Sequence, residues 1–140
     1  MDKDQLIFLH ADNQELKPVN STLVSIKNLD NYEDNTLTNT TIQDICDFFE
    51  ADKVPSLIEN IYKKLSEGSS LHLQGSDLKQ LGIAIAFNKL SYDVIKKVLY
   101  SNKRSIHTMG DMINILKSCN FNIIEKRYTN IFEYYIKAYK

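Results

Sequence analysis

The stretch from Thr38 to Gln74 reads strand, helix, strand, and that order constrains the chain more than any other feature. Thr38 to Ile45 is rich in Thr and Ile and suits a strand. Val54, Leu57, Ile58, Ile61 and Leu65 then recur at helical spacing and form one apolar stripe. Asp52 is placed to cap that helix, Pro55 falls in its first turn, and Gly68 lies just past its end, where a left-handed residue is wanted. Leu71-His72-Leu73-Gln74 alternates like a strand and runs into Gly75-Ser76-Asp77. Two strands joined through a helix pair in parallel, so the chain is expected to build an α/β sheet.

The flanks extend the pattern. Leu6-Ile7-Phe8-Leu9 and Leu23-Val24-Ser25-Ile26 read as short strands, and Asn28 to Asn35 as a loop. After Gln74, Ser76 or Asp77 is the natural cap of a helix, Ser91 caps a second, and Thr108 to Asp111 has the spacing of a capping box. Helices are thus predicted at about 54–66, 77–87, 91–100 and 109–118, with Asn120 as a left-handed stop. Phe121–Tyr128 and Ile131–Tyr139 are β-type runs joined through Thr129-Asn130, an antiparallel hairpin expected at one edge of the sheet. No repeat, linker or second domain interrupts residues 1–140, which are read as one domain.

Composition bounds the function. A net charge of −1 gives no global drive toward nucleic acid or an anionic membrane, so neither is expected as a partner. Cys46 and Cys119 have neither metal-ligand spacing nor a disulfide framework; they read as small core residues of a cytoplasmic protein, and no metal is expected. No apolar run is long enough for a signal peptide or a membrane span.

The end of the first strand poses the functional question. In a nucleotide-binding α/β fold, glycines there let the backbone approach the cofactor. Here the positions hold His10, Ala11, Asp12 and Asn13, and no glycine.

From Asp34 onward the chain resembles the later part of a class I S-adenosylmethionine-dependent methyltransferase. Asp34-Asn35-Thr36-Leu37 matches the segment before the family's fourth strand. Glu67-Gly68-Ser69 matches the "PGG" turn before the fifth with one glycine replaced, and Asn120-Phe121 matches the "gF" strand near the end. The resemblance covers roughly residues 22–140 and is nearest to the small methyltransferase-like proteins of phages and polysaccharide gene clusters. It implies a Rossmann-like methyltransferase fold, mostly parallel with a C-terminal antiparallel hairpin, whose N-terminal part is shortened. It also implies that the glycine loop should fall at His10-Ala11-Asp12. The usual first helix and second strand have no room, the carboxylate that holds the cofactor ribose has no clear counterpart, and the adenine-side acid would be Asn28, an uncharged amide.

Several residues therefore carry two readings. His10, Asp12, Asn28 and Asp44 are the candidate cofactor contacts, and Gln74, Gly75, Ser76 and Asp77 the candidate substrate contacts, because ligands of open α/β sheets bind at the carboxyl ends of the strands. The competing reading has Gly75 turn the chain and Ser76 or Asp77 cap a helix. Asp44 is preferred to Asp47 as a substrate-facing acid. His72 is read as a packed or surface histidine. Lys96, Lys97, Lys103, Arg104 and His107 suit a solvated helix face, with phosphate binding as the alternative. No catalytic residue is assigned.

The expected function is a methyltransferase-like protein with a degenerate S-adenosylmethionine site, inactive or serving as a partner or assembly subunit, with weak or absent cofactor binding. The alternative is an active methyltransferase on a small molecule or glycan. A sheet lacking its first helix should expose apolar surface and favour a homo-oligomer or a protein partner.

Overall fold

The computed structural model describes residues 6–11, 21–100 and 103–140. Six strands form one sheet: β1 (Ile7–His10), β2 (Thr22–Ser25), β3 (Thr40–Gln43), β4 (Ser70–Ser76), β5 (Asn122–Tyr128) and β6 (Glu133–Tyr139). Their order is β2-β1-β3-β4-β6-β5. The pairs β1–β2, β1–β3 and β3–β4 are parallel, and β4–β6 and β5–β6 antiparallel. The architecture is therefore the mostly parallel α/β sheet, closed by a hairpin at one edge, that the alternation implied.

The helices are α1 (Val54–Lys64), α2 (Leu78–Ala86), α3 (Tyr92–Leu99) and α4 (Met109–Ser118). Ser91 caps α3 through Val94 N–H, and Thr108 and Asp111 form the capping box of α4. Gly68 and Asn120 adopt the left-handed conformation, with φ of 77° and 70°. Asp52 does not cap α1. A 3-10 turn at Ala51–Lys53 leads into that helix, which puts Lys53 at the N-cap with no side-chain bond. Nor is Asn28 in a plain loop. Ser25 accepts a hydrogen bond from Lys27 N–H and starts a 3-10 helix over Ile26–Asn31.

One face of the sheet carries the core. Leu9, Val24, Ile42, Leu73 and Ile136 are in register across five strands and are all buried. They pack in one cluster with Val54, Ile58 and Ile61 of α1 and Met112, Ile113 and Leu116 of α4. The opposite face is set by the alternate positions and is largely polar: Thr41, His72 and Lys137 in one row, Gln43, Gln74 and Tyr135 in the next.

The strand Thr22–Ser25 lies directly beside β1, with His10 opposite Ser25. In the doubly wound order, that is the place of the second strand. The expectation that the second strand is missing is thus corrected: the strand is there, and Asn28 follows it rather than a third strand.

Candidate functional site

The carboxyl ends of β1, β3 and β4 bring most of the candidate residues to one end of the sheet. His10 is half-buried there, with Nδ1 3.3 Å from the Ala11 carbonyl. Ala11 is buried in the core cluster, so its Cβ fills space that a glycine would leave open. Asp12 lies outside the described residues. Asn28 is exposed on its 3-10 helix, three residues beyond the end of β2.

Asp44 leaves β3 in the left-handed conformation, φ 56°, and its N–H donates to the Gln74 carbonyl at 2.9 Å. That kink turns the chain into a short 3-10 helix, Ile45–Phe48, which places Cys46 and Asp47 inside the protein. Asp47, which the sequence ranks behind Asp44, is a strongly perturbed acid. It is 1% exposed, and its Oδ2 lies 3.1 Å from Lys103 Nζ as an ion pair without a well-aligned hydrogen bond. Burial raises its pKa from 3.8 to about 6, against the lowering by Lys103 and with some help from Asp44. The same segment is held further by the Asp47 carbonyl, which accepts from Arg104 N–H at 2.7 Å and Ser105 N–H at 3.1 Å.

Lys103 and Arg104 are therefore no part of a free basic face. Lys103 pairs with Asp47, Arg104 Nη1 lies 3.2 Å from Glu50, and His107 is buried with Nε2 3.0 Å from Ser105 Oγ. Burial lowers the His107 pKa, so it rests neutral.

The run Gln74–Asp77 divides by role. Gly75 does not turn the chain: it sits inside β4 opposite Tyr134. A Cβ there would stand 2.7 Å from the Tyr134 hydroxyl, which explains the glycine. Ser76 is buried within the strand and is not the cap. Asp77 is the cap, accepting from Gln80 N–H at 2.9 Å. Its other oxygen accepts from Met109 N–H at 2.7 Å and from the Tyr128 hydroxyl at 3.3 Å. One buried carboxylate thus ties the first turns of α2 and α4 to the hairpin, where helix N-termini favour negative charge.

Tyr134 escaped the sequence reading because only the register of β6 against β4 reveals it. Burial, with Cys46, Asp47, Asp44 and Asp77 nearby, holds its hydroxyl well above the usual range. Burial and the two nearest aspartates likewise push the Cys46 thiol up. Both groups rest neutral, and neither is an activated nucleophile. His72 stands apart on the polar sheet face, its Nδ1 2.7 Å from the Tyr135 hydroxyl and its Nε2 3.0 Å from Ser70 Oγ. Among the described residues, no group of three His, Cys, Asp or Glu side chains is placed to hold a metal ion. No described helix is long and apolar enough to cross a membrane.

No protein-family model matches the sequence, and no curated protein is similar to it at the sequence level. Solved structures are similar in fold. A SAM-dependent methyltransferase from Archaeoglobus fulgidus superposes with a TM-score of 0.65 at 13% identity, covering 99% of this chain and 87% of that one. One from Methanosarcina mazei gives 0.66 at 12% identity, covering 100% and 94%. The fold is that of the SAM-dependent methyltransferases. Magnesium protoporphyrin IX methyltransferase from Synechocystis, solved with bound SAH, shares it at a TM-score of 0.58 and 14% identity, over 86% of this chain and 51% of that one. A methyltransferase-like chain of this fold makes S-adenosylmethionine the cofactor to test.

Proposed function

We propose that this chain is a methyltransferase-fold protein whose cofactor site is degenerate, and that it works as a partner or assembly subunit rather than as a catalyst. The observation that carries this reading is the end of β1. A cationic sulfonium cofactor needs close backbone approach there and an acid at the end of the neighbouring strand. Ala11 packs its Cβ into the core, and β2 ends in Ser25. All four glycines of the chain lie at or beyond Gly68, so none is available to a loop after β1. These residues do not fit the cofactor, and no step of methyl transfer is derived through it.

The remaining acids support the same reading. Asp77 is fully engaged by protein donors, and Asp47 is buried and paired, so neither is free to take a proton from an acceptor. His10, Asp12, Asn28 and Asp44 stay the proposed contacts for any residual cofactor affinity, and Gln74 the proposed substrate contact.

Calorimetric titration with S-adenosylmethionine and S-adenosylhomocysteine tests the proposal. Binding no tighter than roughly millimolar, about 4 kcal/mol, is expected. Micromolar binding would favour the active enzyme instead, and Asp44→Asn, which keeps a residue suited to the left-handed backbone there, should then weaken it without lowering thermal stability.

A further inference from the structure

The segment between β4 and α4 has no place in the reading above, and it holds the most unusual surface of the molecule. α2 buries only Leu81 and Ala84. Leu78 and Ile83 are 47% and 42% exposed, and Phe87 just beyond the helix is 71% exposed. Lys79 is the helix's single charge. A helix so apolar around its circumference is ordinarily buried. α3 is amphipathic and buries no residue at all: Val94 and Leu99 are exposed, and Tyr92 and Tyr100 are 73% and 79% exposed. Seven of the twelve exposed large hydrophobic residues of the described chain fall in residues 78–100, so they are concentrated in this one segment and not spread along the chain.

The charge of the segment names what should cover it. Lys79, Lys89, Lys96 and Lys97 stand against Asp93 alone, a net +3 in a chain whose total is −1. All four lysines are exposed. Lys96 Nζ lies 5.4 Å over the Tyr92 ring, and no ion pair engages the four among the described residues. The whole-chain charge, from which no membrane partner was expected, averages this local field away. A second copy is a poor occupant, since a two-fold contact would set the same positive patch against itself. Exposed Phe and Tyr interleaved with Lys on short helices match the interfacial belt of a lipid headgroup layer, where aromatic rings and ammonium groups both find partners.

We infer that α2 and α3 dock this protein on an anionic membrane surface. Phe87, Tyr92 and Tyr100 enter the headgroup boundary, and Lys89, Lys96 and Lys97 face the lipid charge. The segment is anchored at both ends, by Asp77 at the start of α2 and by the Lys103–Asp47 and Arg104–Glu50 pairs after α3. It can therefore meet a surface without disturbing the sheet.

Co-flotation of the full chain with vesicles tests this, using phosphatidylcholine alone and an equal mixture of phosphatidylcholine and phosphatidylserine. Binding to the mixture only, weakened by salt, is expected. K96A/K97A should reduce partitioning by about fivefold for each lysine removed. F87S/Y100S should reduce it at least as much, and both variants should keep the wild-type circular dichroism, because every changed side chain is exposed. Absence of flotation with the acidic vesicles would overturn the inference. So would equal flotation of wild type and F87S/Y100S. Saturable binding to polyglutamate with no vesicle binding would overturn it in favour of an acidic protein partner.

Discussion

Gly75→Ala should destabilise the protein through one contact. The added methyl would meet Tyr134 at 2.7 Å from Oη, 3.0 Å from Cζ and 3.3 Å from Cε1. Tyr134 is 2% exposed, and its ring is rigid, so the hydroxyl end cannot yield without moving the whole side chain through packed core. Overpacking of this kind costs about 1–3 kcal/mol, and at this chain length 2 kcal/mol corresponds to roughly 7 °C in Tm. Tyr134→Phe removes the nearest atom and leaves Cζ as the closest contact. In the double variant the clash is therefore relieved in part, and the penalties should fall short of additivity by about 1 kcal/mol. The chain has no tryptophan, so urea unfolding is best followed by circular dichroism. Gly75→Ala within about 0.5 kcal/mol of wild type, or strict additivity with Tyr134→Phe, would refute the packing argument.

Two further outcomes are expected. Asp47 has a folded pKa near 6 against 3.8, so the unfolded chain releases this proton first and stability falls as pH rises between those values. The loss amounts to about 3 kcal/mol above pH 6, and Asp47→Asn should flatten that part of a pH series of urea midpoints; an unchanged slope would contradict the assignment. The proposed assembly should run through the N-terminal edge, where β2 is the outermost strand and its Leu23 is 48% exposed. Light scattering at micromolar concentration should report a dimer or larger, with Leu23→Lys shifting it to monomer, and a wild-type monomer of 16.2 kDa would count against it.

Local rules were legible wherever the chain satisfies them locally. Ser91, Thr108 and Asp111 cap their own helices within three residues, and Gly68 and Asn120 supply left-handed stops that sequence alone identifies. The start of α1 departs from the sequence pattern because a 3-10 turn takes up Asp52 and leaves Lys53 at the N-cap. The candidate site was legible only as a place. Its pairings join residues distant in sequence: Asp47 with Lys103, Gly75 with Tyr134, Asp77 with Met109 and Tyr128. Those depend on the register of the hairpin and the path of the segment after α3, which no local pattern encodes. Read locally, Gly75 suits either a substrate contact or a turn. Its need for a small side chain comes from across the sheet.

The polarity of the sheet face opposite the core bears on the expectation that the chain self-associates. Parallel strands buried on both sides read as continuous apolar runs. β3, β4 and β6 instead alternate, and their outward positions are Thr41, His72, Gln74, Tyr135 and Lys137. Part of this row is internally bonded: His72 bridges Ser70 and Tyr135, and the Arg127 guanidinium lies 4.7 Å from the Tyr135 ring centroid. Burial and then Lys137 lower the His72 pKa, so the bridge runs through a neutral ring and is stable above its ordinary titration range. Over most of its width the sheet is thus built to be covered on one side only. Among the described strands, apolar side chains reach that face at β1 and β2, through buried Phe8 and exposed Leu23. An assembly driven by missing helices would need a broad apolar face, and here that need narrows to one edge. Among the described residues, the larger exposed apolar surface lies at α2 and α3. The proposed loss of cofactor binding and the proposed docking surface therefore rest on separate parts of this chain, and each is open to its own test.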